Sequence, residues 1–183
     1  MKGDSMMFEQ RALTKQEERR RAKSPETSTF LWYNANPKGH ITSDCTIRAL
    51  STGLGISWYD VLDGLYQLRR RYALYGDMKS IEKYLESQGW VKHKQPRRPD
   101  GKKYTGGQFA NWLSVNHGSG ILGPVICSVA SHMFCIYPTN HGDGTNCKYK
   151  VLDTWDSTGK CICHYWTRAD VDVPMEQRVP FGT

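Results

Sequence analysis

The chain has 183 residues, of which 38% are hydrophobic and 11% are aromatic, enough to bury the core of one domain. Its 25 lysines and arginines outnumber its 18 aspartates and glutamates, and the formal net charge of +7 favours an acidic partner. The longest apolar runs fall well short of the roughly 20 residues that a membrane helix needs, so we expect neither a spanning segment nor a membrane partner.

The first 28 residues are polar and charged and contain too few apolar residues for a core, which predicts a tail or a peripheral helix. The domain itself is then expected over residues 29–183. Because the N-terminal segment has no continuous apolar stretch, we expect no secretory signal and a cytoplasmic protein. In that compartment the six cysteines are expected to be mostly reduced thiols: Cys45, Cys127, Cys135, Cys147, Cys161 and Cys163.

The first folded segment is predicted to begin at the apolar and aromatic residues 30–33, which lead into a turn-rich loop at residues 34–39. Apolar residues then recur at helical spacing. This pattern predicts a helix whose first turn holds Cys45 and which ends at Gly53 or Gly55. The reactive chemistry of a thiol at a helix start is considered below.

Two further helices are predicted in the front half, one capped by Ser57 and one over residues 77–88. A short helix at residues 109–113 follows the basic segment Lys92–Lys103. The back half changes to the alternation typical of strands, which are predicted at residues 125–130, 132–137, 148–153 and 162–166. Helices followed by strands indicate the α+β class, with N-terminal helices packed on a C-terminal antiparallel β-sheet.

Cys45 is the candidate nucleophile. A cysteine attacks as its thiolate, and the positive end of a helix lowers the pKa of a thiol placed there. A histidine from elsewhere in the chain would be needed as the base. His132 opens an apolar strand, so its ring would project from a rigid element.

The next strand ends in Asp153, whose carboxylate could accept a hydrogen bond from the second nitrogen of His132 and fix its tautomer. Asp156, three residues later, is a second carboxylate at the same strand end. The sequence therefore predicts a Cys45, His132 and Asp153 triad, with Asp156 left open as a turn residue or an alternative.

The order Cys, His, Asp resembles that of papain-like cysteine peptidases, in which the cysteine heads a helix and the other two residues lie on neighbouring strands. Residues 131–137 resemble the histidine strand of that family, and residues 151–155 resemble its Asn-Ser-Trp segment with aspartate in place of asparagine. The residues after Cys45 are more similar to compact bacterial or phage members. The resemblance implies a papain-like fold, a host-cytoplasm location for a phage protein, and Trp155 shielding the bond between His132 and Asp153.

The same resemblance implies a hydrolase of the protease, isopeptidase or amidase type that acts through a thioester and needs no cofactor. The family's oxyanion glutamine has no counterpart before Cys45. Asn36 is the favoured replacement, with Asn34, Thr42 and Ser43 as alternatives. A protein or peptide substrate follows, and the basic segment Lys92–Lys103 favours an acidic one. Loop 116–120 and this basic segment are the predicted specificity elements.

Three other interpretations stay open from the residues alone. A structural zinc site could draw its ligands from the cysteines and a histidine of the back half, namely Cys135, Cys147, Cys161, Cys163 and His164, although their spacing is not that of known zinc motifs. The net charge allows a nucleic-acid-binding module, which no recognised motif supports. The third is a catalytically inactive papain-like scaffold that binds a protein.

Overall fold

The computed structural model describes residues 11–74, 78–116, 123–139 and 147–169. The described residues form five helices and six strands. The helices are α1 (Lys15–Lys23), α2 (Cys45–Leu54), α3 (Trp58–Tyr72), α4 (Met78–Ser87) and α5 (Gly106–Val115). The strands are β1 (Phe30–Trp32), β2 (Trp90–His93), β3 (Val125–Val129), β4 (His132–Pro138), β5 (Tyr149–Asp153) and β6 (His164–Arg168). None of these helices is both long and apolar enough to cross a bilayer.

The strands form one mixed sheet in the order β1, β5, β4, β3, β6, β2. The four strands predicted from the back half pair antiparallel with one another, as expected. The expectation of a purely antiparallel, C-terminal sheet is wrong at both edges. β1 comes from the front half and runs parallel to β5, while β2 overlaps the start of the basic segment Lys92–Lys103. Three- and four-residue edge strands carry too little periodicity to be recognised alone.

Helices cover both faces of the sheet. The core on one face contains α2, α3 and α4 residues around Leu50, Leu65 and Leu85, packed with Met133 and Trp166 of the sheet. The core on the other face contains α5 residues packed on β3, β4 and β5. The prediction of helices packed on a sheet therefore holds, and α5 adds a second helical layer.

Helix ends follow the local chemistry that the sequence predicted. α2 ends at Gly55, which adopts the left-handed conformation (φ +70°) that glycine tolerates best. The Ser57 hydroxyl caps α3 by accepting from the Asp60 amide. α5 begins three residues earlier than predicted because Thr105 and Gln108 form a capping box around its first turn.

The N-terminal segment contains α1, which docks on the loop before Cys45 through a buried carboxylate. Glu17 is fully buried and accepts hydrogen bonds from Arg11 (2.6 and 2.8 Å) and from Asn34 (2.8 Å). Gly39 lies against this cluster, since a Cβ there would come within 2.5 Å of a Glu17 oxygen. α1 thus fixes the chain that leads to the candidate nucleophile.

Candidate active site

Cys45 is the first residue of α2, as the sequence predicted, and is half-buried. The preceding residue, Asp44, is in the N-cap position, but its side chain makes no capping hydrogen bond. Its carboxylate instead accepts from Asn36 (2.8 Å) and the Trp58 indole (3.0 Å). The N–H groups of the first turn of α2 therefore donate no hydrogen bond to the N-cap side chain, and they point toward the end of the helix that holds Cys45.

His132 is the first residue of β4, against which α2 packs. Its Nε2 lies 2.6 Å from Asp153 Oδ2, and its ring is close enough to the Cys45 thiol to lower the pKa of that thiol. Because Nε2 is engaged by Asp153, Nδ1 is the ring nitrogen left to act on the sulfur. The structure thus brings together the three residues that the sequence selected, from positions more than 80 residues apart in the case of Cys45 and His132.

Asp153 ends β5, the neighbour of β4, and both its carboxylate and its backbone carbonyl accept further hydrogen bonds. Its Oδ2 also accepts from the Ser157 hydroxyl (2.7 Å), and its Oδ1 accepts from the Thr154 amide (2.7 Å). Its backbone carbonyl accepts from the amide of Tyr33, just beyond β1. Asp156, the alternative carboxylate, is exposed and caps the turn at Thr158 instead.

Trp155 lies beside the His132 ring, with ring centroids 5.2 Å apart. The register of β4 on β5 accounts for this contact: Cys135 is opposite Leu152, and three further steps place His132 across from Trp155. The indole therefore covers one side of the imidazole, and the Lys160 ammonium lies 5.7 Å from the centre of the indole.

The protonation of the pair follows from these contacts. Burial by itself raises the Cys45 pKa, but hydrogen bonds from the His132 ring and the Met133 backbone, together with the charges of His132 and Arg48, outweigh it and lower the pKa. Burial by itself lowers the His132 pKa, but its hydrogen bonds to Asp153 and Cys45 and their charges raise it to about 9. Both shifts favour a thiolate and imidazolium pair at neutral pH.

Arg48 is a residue of the candidate site that the sequence analysis did not select. It lies one helical turn after Cys45 and is buried; its Nη1 donates to Thr154 Oγ1 at 2.9 Å, tying α2 to the end of β5. Its Nε lies 3.3 Å from Asp44 Oδ1, an oxygen without a hydrogen-bond partner in the described chain, so this contact is ionic rather than directional. A charged residue among the apolar positions of α2 was the available signal.

Ser157 was also missed, and no pattern in the sequence pointed to it. The residue lies in the turn after β5, where serine is common, and nothing local shows that its hydroxyl is fully buried against Asp153. Its role comes from the fold of the turn.

Asn36, the predicted oxyanion donor, is used within its own loop. Its Nδ2 donates to Asp44, and its Oδ1 accepts from the amides of Lys38 (3.0 Å) and His40 (3.3 Å). These contacts give Asn36 a structural role in shaping the loop before Cys45, and they do not support the predicted donation to an oxyanion.

The predicted specificity elements and zinc ligands have other contacts or lie outside the described residues. In the basic segment, Lys92 pairs with Glu82, and Arg98 pairs with Asp100. Of loop 116–120, only Asn116 is described; residues 117–120 lie outside the described residues. Within the described ranges no group of three His, Cys, Asp or Glu side chains could hold a metal ion. Cys135 is completely buried, whereas Cys161 is exposed.

Comparisons of the chain with protein-family models, with curated proteins and with solved structures give no match. The resemblance to papain-like peptidases therefore stays a prediction from the order of three residues and two short segments.

Proposed function

We propose that the protein is a cysteine-nucleophile hydrolase with a papain-like arrangement, in which Cys45 attacks, His132 is the acid and base, and Asp153 orients the histidine. One observation carries the proposal: the His132 ring lies 2.6 Å from the Asp153 carboxylate and close enough to the Cys45 thiol to lower the pKa of that thiol. A histidine that lies beside a half-buried thiol and is hydrogen-bonded to a buried carboxylate has the arrangement expected of the base in an activated nucleophile.

The reaction would proceed in two steps. The Cys45 thiolate attacks the carbonyl carbon of an amide, and the tetrahedral oxyanion is stabilised by the amides at the start of α2. The C–N bond breaks as the His132 imidazolium gives its proton to the leaving amine, which leaves a thioester on Cys45. Neutral His132 then takes a proton from water, and the hydroxide displaces the thiolate to release the acid.

The surrounding residues support this chemistry. Asp153 keeps the ring oriented because Ser157 and Thr154 fix the carboxylate. Trp155 limits the access of water to the ring. A peptide or protein amide is the substrate class that this chemistry suits, and the reaction requires no metal ion or cofactor.

Alkylation of the six thiols by iodoacetamide at about pH 6 tests the proposal. The thiolate is the form that reacts, and at this pH only a thiol with a lowered pKa is ionised to a useful extent. We expect Cys45 to react faster than Cys161, although Cys161 is the more exposed of the two. The His132→Ala variant should slow the Cys45 reaction by at least about tenfold. Peptide mass spectrometry measures both rates.

His164→Ala is the matched control, since His164 is a partly exposed histidine of the same sheet that is not bonded to Cys45. It should leave the Cys45 rate unchanged. Equal reactivity of Cys45 and Cys161 at this pH would reject the proposed nucleophile. Salt-dependent retention on nucleic acid by the Cys45→Ala variant would instead favour the binding-module alternative.

A further inference from the structure

The C-terminal half of α3 presents two aromatic rings to solvent. Val61 and Leu65 of this helix are buried in the core, whereas Tyr66 is 60% exposed. Tyr72, the last residue of the helix, is 49% exposed. Rings that remain this open contribute little to folding, because much of their apolar area stays in water. Both rings are therefore accessible to a partner.

Each of these rings has at least one cation beside it. The Arg70 guanidinium lies 5.8 Å from the centre of the Tyr66 ring. The Tyr72 ring has the Arg71 guanidinium at 5.8 Å and the Lys83 ammonium of α4 at 4.6 Å from its centre. We call these five residues the basic aromatic surface. It contains three cations and two rings that alternate around the last two turns of α3.

The cations of the basic aromatic surface are not neutralised by carboxylates. Within the described residues, neither Arg70, Arg71 nor Lys83 forms an ion pair with an acidic side chain. Arg69 has a different role, because its Nε donates to the Ser80 hydroxyl at 3.2 Å and ties α3 to α4. The three surface cations therefore keep their charge for an anionic partner.

The dipole of α3 explains the cations but not the rings. Basic side chains in the last turn of a helix are stabilised by the negative end of its dipole, and no acidic residue follows Asp63 in α3. Exposed rings gain nothing from that dipole. Single-stranded nucleic acid uses both features, since its phosphates pair with cations and its bases stack on aromatic rings. An acidic peptide would pair with the cations and leave the rings unused.

We propose that the basic aromatic surface binds single-stranded nucleic acid, with its two tyrosines stacking on bases and its three cations pairing with phosphates. Of the described residues that line the pocket at Cys45, none belongs to this surface. The binding site is therefore separate from the candidate active site. It adds a binding activity to the proposed function and does not depend on it.

The proposal assigns the partner of the positive net charge to a surface other than the basic segment Lys92–Lys103. In that segment Lys92 is already paired with Glu82, and Arg98 is paired with Asp100. These two pairs reduce the charge that the segment can offer to an anion.

Fluorescence anisotropy of a fluorescein-labelled oligothymidylate of about twelve nucleotides tests the proposal, with a labelled glutamate peptide of the same length for comparison. The wild-type protein should bind the oligonucleotide at least about tenfold more tightly than the peptide, because only the bases stack on the rings. No binding of the oligonucleotide would overturn the proposal. Equal or tighter binding of the peptide would also overturn it, in favour of an acidic protein partner.

The salt dependence of binding separates the cations from the rings. Three phosphate contacts predict a slope of about −2 for the logarithm of the association constant against the logarithm of the salt concentration. Arg70→Ala/Arg71→Ala should reduce the magnitude of this slope by about 1.4. Tyr66→Ala should weaken binding at least about fivefold with the slope unchanged, because stacking releases no counterions. An unchanged slope in the double variant, or unchanged affinity in Tyr66→Ala, would overturn the location of the site.

Arg19→Ala/Arg20→Ala is the matched control, because both arginines are exposed on α1 and their loss changes the net charge by the same amount. This variant should keep the wild-type slope. An equal reduction of the slope in both double variants would show a general effect of net charge and would overturn the assignment to α3.

The two proposals fail separately. Cys45→Ala should bind the oligonucleotide like the wild-type protein, and Arg70→Ala/Arg71→Ala should leave the alkylation rate of Cys45 unchanged. A reactive Cys45 in a protein that does not bind the oligonucleotide rejects this inference alone. Oligonucleotide binding with an unreactive Cys45 supports this inference and rejects the proposed nucleophile.

Discussion

Two buried carboxylates, Glu17 and Asp153, are each paired with a basic side chain, but only one of these basic side chains titrates near neutral pH. Glu17 is held by a guanidinium that stays charged at all ordinary pH values, and all of its hydrogen-bonding sites are occupied. Asp153 is held by a histidine that titrates, and the other side of that ring contacts a half-buried thiol. The first cluster stabilises the loop before Cys45, whereas the second can move protons.

The difference shows what separates a structural ion pair from a candidate active site. Perturbed pKa values occur in both clusters, so a shift alone does not identify chemistry. What distinguishes the second cluster is a nucleophile and a titrating base beside a pocket. Three substitutions test this distinction, beginning with the largest expected effect.

Glu17→Gln should destabilise the protein by about 3 kcal/mol at neutral pH. Burial by itself raises the Glu17 pKa, but the hydrogen bonds from Arg11, Thr14 and Asn34 lower it from 4.5 to about 2. Because the folded-state pKa is depressed, the stabilisation is present above about pH 4.5 and is lost as the pH falls toward 2. Urea unfolding across this range should show the wild-type and variant proteins converging at low pH.

Glu18→Gln is the control for this experiment, since Glu18 is exposed on the same helix. Its effect should be within about 0.5 kcal/mol. If both variants unfold at the same urea concentration, the Glu17 cluster does not stabilise the fold.

Asp153→Asn should slow alkylation of Cys45 by about tenfold at about pH 7.5. Wild-type His132 is charged at that pH because its pKa is about 9, and loss of the carboxylate lowers this value toward the ordinary one. At about pH 10 the two rates should converge, because the thiol then ionises without the imidazolium. A rate profile from pH 6 to 10 measures this.

The exposed Asp156 provides the matched variant Asp156→Asn, which should react like the wild-type protein. A tenfold loss in both variants would show a general effect of charge and would remove the assignment of Asp153 as the orienting residue.

Ser157→Ala should reduce the alkylation rate at about pH 7.5 by only two- to fivefold, because the Ser157 hydroxyl acts on the thiol only indirectly, by holding the Asp153 carboxylate. Ser157 positions Asp153 without touching the thiol, so the deficit should also disappear at about pH 10. A deficit that persists at high pH would indicate disturbed packing rather than lost orientation. Ser87→Ala, which removes a hydroxyl that donates to the Tyr84 carbonyl on α4, is the control.

Much of the fold was predictable because its elements carry local signals. The start of α2 at Cys45, the Ser57 cap of α3 and the four strands of the back half follow from periodicity and capping chemistry. The fourth of these strands was placed two residues too early, since β6 covers His164–Arg168. Strand ends are set by pairing partners, which a single segment does not show.

The three residues of the candidate triad could be predicted from the sequence, whereas the residues that hold them in place could not. Cys45, His132 and Asp153 each begin or end a recognisable element, so their chain order could be compared with a known arrangement. Arg48 and Ser157 act through contacts with residues on other segments or on the far side of a turn. Asn36 was assigned a donor role because nothing in its loop revealed that Asp44 takes its amide.

The sequence by itself determined where the helices and most strands lie, because spacing and caps act within a few residues. Only the tertiary structure decided that β1 pairs parallel with β5, that Glu17 is buried, and that a hydroxyl and a guanidinium brace the triad. These features join segments that are distant in the chain. Their free energy comes from the burial and pairing of groups that meet only after the sheet has formed.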